Sequence, residues 1–464
     1  MTEFRIEKDS MGQMQVPAAM LYGAQTARAV ANFPVSGLRF PRPFVRALAL
    51  IKKNAAAVNG ELGLVEAAIA DAVQKAAAEA MEGVLDDHFV LDIFQTGSGT
   101  STNMNANEVI ANRARQLAAG GARIHPNDHV NFGQSSNDVI PTAANMAAAC
   151  EIRYALIPAL FEMQEALGEK AQAFDDVVKI GRTHLQDATP VRMGQVFSGY
   201  ARQTALSIRR IEEAKEGLRE LPLGGTAVGT GINTHPEFAR RVIARIASDT
   251  GIEFREAVNH FEAQGARDSL VFASGALKAC ACSLFKIAND IRLLGSGPRC
   301  GIGELLIPPV QPGSSIMPGK VNPVMSESLI QVCAQVIGND AAVAIGGLSG
   351  NFELNVMIPV MIHNVLQSIA LLANAVRLFT GRCLRGLEVD RERCAQLVEQ
   401  SLMLATPLAP VIGYDRAAEV AKEAYQKRRT IRELVREQGI LDEGRLNEVL
   451  DLRAMTEPGV SSQG

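Results

Sequence analysis

No Cys-x-x-Cys pair occurs in this chain of 464 residues, although it has seven cysteines; the closest two are Cys280 and Cys282. The odd count and this spacing give no basis for a zinc ribbon or a thioredoxin-like redox site, and reduced, buried thiols are expected. An excess of positive charge is missing too. Lys and Arg number 46 against 50 Asp and Glu, a net charge of −4. That balance provides no global basic field, so neither nucleic acid nor a membrane surface is an expected partner. The N-terminus, Met-Thr-Glu-Phe-Arg-Ile-Glu-Lys-Asp, has no apolar targeting core, and a cytoplasmic location is expected. No apolar run is expected to combine the length and freedom from charge of a bilayer span. No His-Glu-x-x-His arrangement suggests a metal, and no Gly-x-Gly-x-x-Gly follows a strand, so the expectation is no metal and no cofactor.

Strand alternation is scarce as well, and no βαβ rhythm appears. What remains is helix. Hydrophobic residues make up 47% of the chain, enough for extensive burial, and the length predicts two or three domains. Helical spacing of apolar residues runs from 197 to 218. Segments 269–294, about 325–346 and 355–380 are apolar on most faces, which predicts buried helices rather than surface ones. Another is expected over 142–174, bent or interrupted by Pro158. The reading is therefore all-α, with a central bundle of long helices. Residues 1 to about 45 are expected to be irregular, helices after about 390 short and charged, and residues 458–464 frayed. Such apolar helices also predict packing between copies of the chain.

Within this apolar chain, residues 313–322 read Gly-Ser-Ser-Ile-Met-Pro-Gly-Lys-Val-Asn, with Pro323 next. Pro318 and Pro323 rule out ordinary helix. The segment predicts a loop that brings Ser314, Ser315, Lys320 and Asn322 towards one small anionic ligand. Four more polar clusters stand out. Residues 96–103, Thr-Gly-Ser-Gly-Thr-Ser-Thr-Asn, suit an anion through glycine-exposed amides and hydroxyls, or a helix cap before 104–115. His125, Pro126, Asn127 and Asp128, followed by Gln134, Ser135, Ser136, Asn137 and Asp138, are as compatible with a turn and a cap as with a ligand site. Residues 181–190 place His184 among Arg182, Thr183, Gln186 and Asp187; an imidazole can exchange a proton near neutral pH, and Glu327 is a candidate partner. Residues 224–233, Gly-Gly-Thr-Ala-Val-Gly-Thr-Gly-Ile-Asn, read either as an oxyanion-binding loop or as a flexible connection.

These segments, in this order, resemble the fumarase/aspartase superfamily, and within it the class II fumarases. The likeness runs from Arg5-Ile6-Glu7-Lys8-Asp9 through Tyr22-Gly23-Ala24-Gln25-Thr26 to Ile412-Gly413-Tyr414-Asp415. It implies an all-α fold of three domains, here 1–134, 135–390 and 391–464. It also implies a homotetramer whose active sites each draw on three subunits, a small dicarboxylate substrate, no cofactor, and a place in the tricarboxylic acid cycle.

The implied reaction is reversible anti elimination through an aci-carboxylate. By resemblance Ser314 is the base, with Lys320 and loop amides to stabilise its oxyanion. Lys320, Val321 and Asn322 match the carboxylate-binding stretch, with Ser315 beside the base. Ser98, Gly99, Thr100, Ser135, Ser136, Asn137 and Thr183 match further substrate contacts. His184 matches the acid or water-handling histidine, with Glu327 as its orienting carboxylate. His125, Pro126, Asn127 and Asp128 match a second carboxylate-binding loop, although Arg123 lies one place from the arginine expected there.

The implied leaving group is water, which makes the chain a fumarate-hydrating lyase. His184-Leu185-Gln186-Asp187 and Ser296-Gly297-Pro298-Arg299 carry that preference. Aspartate ammonia-lyase is the alternative, because Val324-Met325, Ser101 and Met357 lean towards aspartase. A non-catalytic structural homologue is a third reading; it predicts losses among the catalytic residues, yet Ser314, Lys320, Asn322, His184 and Glu327 are all present.

Overall fold

The structure, a computed structural model, describes residues 3–118 and 123–459. Past Gly459, the frayed end expected from the sequence lies outside the described residues. Long helices dominate, and among the described residues the strands pair only as two-stranded sheets. The expected long helices occur as Met193–Gly217, Asp268–Leu294, Val324–Leu348 and Ile358–Phe379. The interruption near Pro158 is also present. A helix over Ser136–Glu151 passes through one π turn, Ile152–Leu156, into Ile157–Ala173. Pro158 has no amide hydrogen for the turn before it, and the wider turn absorbs that loss.

Two expectations need correction. The first 45 residues are not irregular: Phe4–Asp9 and Gly12–Pro17 form an antiparallel hairpin, and Ala24–Asn32 is a helix. The hairpin is difficult to read because Arg5, Glu7 and Asp9 occupy the partly buried face of its first strand while Phe4 and Ile6 stay exposed, so no buried apolar face marks it. It is held from outside, by Arg28 donating to both oxygens of Asp9 at 2.8 and 3.1 Å. The second correction concerns length and apolarity. Asp268–Leu294, Val324–Leu348 and Ile358–Leu384 are long and apolar enough to cross a membrane by length and composition. Their few charges leave apolar windows that a count over the whole segment hides.

The described chain falls into two compact units. One takes the chain up to Pro158, with Ser207–Cys282 and Val332–Asn374; the other takes Ala159–Leu206, Ser283–Gln331 and the chain from Ala375 on. This partition differs from a division at 134 and 390.

In the first unit the Arg42–Glu61, Ala67–Glu82 and Thr100–Leu117 helices share a core of Ala56, Ala72, Ala76, Ala77, Ile110 and Ala111. Alanines on facing surfaces let the helices approach closely at little side-chain entropy. Polar bonds tie its long helices together. Ser274 Oγ donates to Asp340 at 2.8 Å, and Asn339 Nδ2 donates to Gln367 and Ser368 at 2.9 and 3.1 Å. In the second unit short helices from Arg391 onward enclose Val398, Leu404, Leu408, Val420, Leu434 and Leu446. Asp390, Thr430 and Asp442 cap three of them. Ile180, from the Val178–Thr183 strand, inserts into the same core, and so anchors the hairpin whose tip carries His184.

Candidate active site

The loop at 313–323 closes on itself. Gly313 N donates to Lys320 O at 2.8 Å, and Asn322 Nδ2 donates to Gly313 O at 2.7 Å. A Cβ at Gly313 would lie 2.5 Å from Lys320 O, so only glycine permits this closure. Inside it, Ser314 Oγ accepts the backbone amides of Ile316 at 3.2 Å and Met317 at 3.0 Å. Two oriented N–H groups on one hydroxyl oxygen stabilise negative charge there. Ser315, Lys320 and Val321 lie exposed on the same loop, which borders a cavity of about 490 Å³ that includes Ser314, Met317 and Lys320. Among the described residues the Lys320 ammonium has no ion-pair partner. Val324 starts the helix after the loop, which places Glu327 in its first turn.

His184 sits at the tip of the hairpin formed by Val178–Thr183 and Gln186–Arg192. Its φ is +57° and that of Leu185 is +60°. Two consecutive positive φ values match the twist of the paired strands, a position that Asn-Gly normally fills. Histidine and leucine there are strained, and the strain holds an exposed imidazole outward beside Thr183. Behind the tip, Arg182 and Lys179 both reach the fully buried Glu304. Burial lowers the pKa of Lys179, opposed by the Glu304 charge.

The other candidates belong to the first unit. Gly99 is the N-cap of the Thr100–Leu117 helix with φ +75°, and the Gln95 side chain, not a hydroxyl, accepts a first-turn amide, that of Thr102 at 3.0 Å. The cap expected from the hydroxyls is therefore not what occupies them. Ser98 and Thr100 bond each other at 2.8 Å. By contrast Ser135 is a cap: its Oγ accepts Asn137 N, while Asp138 receives Ser135 N in a capping box. Asn103 Nδ2 donates to Ser136 Oγ at 3.1 Å, and Asn137 Nδ2 to Ala227 O at 2.8 Å. The glycine-rich segment at 224–233 is no loose connection. Asp138 Oδ2 accepts Gly224 N and Thr226 N at 3.0 and 2.9 Å. Burial raises the pKa of Asp138, opposed by these amides and by Lys52.

His125 caps the Pro126–Val130 turn, its Nδ1 facing the amides of Asn127 and Asp128 at 3.3 Å. Beside it lies a cavity of about 570 Å³ lined by Lys8, Arg115, Arg123, His125, Pro126 and Asn127, among others. The three cations come from separate segments and share the lining with the carboxylates of Glu7, Asp9 and Glu108, so the cavity carries charge of both signs. Lys8 and Arg115 are contributors that spacing does not reveal, since one lies on the first strand and the other in the last turn of a helix.

The candidates thus divide into two arrays by the unit to which they belong. Ser98, Gly99, Thr100, Ser135, Ser136 and Asn137 lie in the first unit, and Thr183, His184, Ser314, Ser315, Lys320, Val321, Asn322 and Glu327 in the second. Among the described residues no hydrogen bond joins His184 to Glu327. Groups of side chains able to hold a metal ion are also absent among the described residues.

The chain matches a lyase family over residues 12–338 and the fumarase C C-terminal family over residues 404–457. It is 53% identical over 461 residues to a fumarate hydratase class II of Nitrosomonas europaea, covering 98% of this chain and 100% of that one. A protein of the same name from Mycobacterium tuberculosis is 54% identical over 451 residues, covering 97% and 94%. The crystal structure of recombinant class II fumarase from Schistosoma mansoni superposes with a TM-score of 0.94 at 39% identity, covering 98% of this chain and 99% of that one.

Proposed function

Because the chain belongs to the class II fumarate hydratase family, we propose that its two arrays of donors serve the reversible hydration of fumarate to (S)-malate. The Ser314 hydroxyl carries the reading. In the elimination direction Ser314, having first given its own proton to solvent, acts as the alkoxide: it takes a proton from the carbon next to a carboxylate and returns to the hydroxyl, while the electron pair of the broken C–H bond moves into an aci-carboxylate. A serine oxygen is far too weak a base in water. Two backbone amides already aimed at Oγ, with Lys320 on the same loop, stabilise the alkoxide until it takes the substrate proton and is neutralised. Closure of the loop over the substrate removes competing water. Asn322 and Lys320 bind the carboxylate on which charge develops. Ser98, Thr100, Ser135, Ser136, Asn137 and Thr183 supply the remaining donors. His184, oriented by Glu327, handles the proton of the leaving water.

The family reading carries with it a homotetramer in which neighbouring subunits complete each site. Exposed apolar side chains on the long helices, such as Ile345 at 60% and Leu348 at 85%, support the same assembly, and burial between subunits accounts for their apolarity without a membrane. The three-domain division at 134 and 390, a cytoplasmic location and a tricarboxylic acid cycle role belong to this reading. His125, Asn127 and the cations around them form a second carboxylate site.

The aspartate ammonia-lyase alternative is not favoured, since full-length relatives carry the hydratase name. The test follows the absorbance of fumarate with purified protein. Malate should raise it and aspartate should not; turnover of aspartate without malate would overturn the assignment. Light scattering during gel filtration should give four times the 49.6 kDa chain mass.

A further inference from the structure

Lys52 lies in the middle of the Arg42–Glu61 helix and is fully buried. The proposed reaction makes no use of it, and a buried cation is costly unless it is bonded. Its Nζ donates to Asn131 Oδ1 at 2.8 Å and Gln134 Oε1 at 3.0 Å. Both carboxamides have only one orientation available. Asn131 Nδ2 is committed to Gln134 O at 3.1 Å, and Gln134 Nε2 to Val130 O and Phe132 O at 3.1 and 3.2 Å. Their oxygens must therefore face Lys52.

The consequence passes along the chain of bonds. Asn131 Oδ1 also accepts from Asn103 Nδ2 at 3.2 Å, and the same nitrogen donates to Ser136 Oγ at 3.1 Å. Turning the Asn103 amide over would set its oxygen against Asn131 Oδ1, acceptor against acceptor. The nitrogen is held there even though Asn103 Oδ1 is left buried without a partner. Ser136 therefore accepts a bond from inside the protein, and its own O–H is left to donate outward.

We propose that Lys52 is a positioning residue which, through Asn131 and Asn103, fixes the Ser136 hydroxyl as a hydrogen-bond donor to the substrate carboxylate. It touches no substrate; it sets the direction of a bond that does. This rests on the reading of Ser136 as a substrate contact. Burial lowers the Lys52 pKa to about 7, opposed by the Asp138 charge. The neutral amine still carries a hydrogen for each of its two acceptors, so the arrangement tolerates loss of the charge.

The experiment is a double-mutant cycle on the tetramer, read as kcat/KM for fumarate with melting temperature as the check on folding. Ser136→Ala alone should lower kcat/KM by about 10- to 100-fold, the range for losing a bond to a charged group. Lys52→Met should lower it comparably, and in the Ser136→Ala background should change it by less than about threefold. Independent effects that multiply would overturn the proposal. An unchanged kcat/KM in Ser136→Ala would overturn it through the site reading instead, so the two failures are distinguishable. If Lys52→Met does not fold, Asn131→Ala and Asn103→Ala run the same cycle without removing a buried cation. Loss of their effect in the Ser136→Ala background supports the relay, and multiplying effects in both refute it.

Discussion

The guanidinium of Arg182 grips the carboxylate of Glu304 with two bonds, at 2.8 and 3.1 Å, and Glu304 has no exposure to solvent. Arg182 is two residues before His184, so this pair fixes the root of the hairpin that presents the imidazole. Glu304→Ala leaves the Arg182 and Lys179 charges in the interior unpaired, and should destabilise the fold by about 3–5 kcal/mol. The exposed pair of Arg391 and Asp176 provides the control, since solvent screens it and Asp176→Ala should cost far less. Denaturation of both variants checks the contrast, and equal shifts would remove the buried pair's structural role.

Ser314→Ala removes the proposed base while leaving the loop bonds of Gly313, Lys320 and Asn322 in place. Turnover should fall by at least the roughly 10²–10⁴-fold typical of a lost general base, with the state of assembly and the melting temperature unchanged. A near-normal kcat in this variant assigns proton removal elsewhere.

Gly97 is held against another backbone. A Cβ there would lie 1.8 Å from Val356 O, a distance no side-chain adjustment relieves. Gly97→Ala must displace the Ser98–Thr100 loop or the backbone at 356, costing about 1–3 kcal/mol as overpacking does. It should raise KM for both fumarate and malate. A variant with wild-type KM and stability would show that the loop tolerates the shift.

The His125 loop should loosen in acid. His129 Nδ1 accepts the His125 amide at 2.8 Å, which requires that nitrogen to be unprotonated. Burial lowers the His129 pKa; Asp128 and Glu66 oppose, while His125 and Arg115 act with burial. A base with a lowered native pKa binds fewer protons folded than unfolded. Its stabilising contribution is thus present above the ordinary value of about 6.5 and is lost as pH falls through the native one. Hydrogen exchange of the 123–130 segment, corrected for the intrinsic rate, should speed up over that interval. His129→Gln keeps an acceptor oxygen and should remove the pH step; persistence of the step would point to another group.

Legibility followed how local each signal is. The loop at 313–323 was readable because prolines and glycines dictate non-helical backbone wherever they occur, and the long helices because their apolar composition is local. The hairpin at His184 was not readable. Its turn uses His-Leu at positive φ, where local preference calls for Asn-Gly, and contacts distant in sequence, Glu304 to Arg182 and Ile180 to the C-terminal core, impose it. Clustered hydroxyls are legible as clusters, but which of them cap a helix is not: Ser135 caps one, whereas Ser98 and Thr100 bond each other.

The sequence by itself determined the helical architecture, the polar clusters and the family, since side-chain chemistry and short-range sterics depend on residue order alone. Only the tertiary structure decided which donors are already satisfied and which way they point. Lys52 looks like any helical lysine until folding brings Asn131 and Gln134 to it. A hydrogen bond's direction depends on every partner along its chain, and those partners come from segments far apart in sequence.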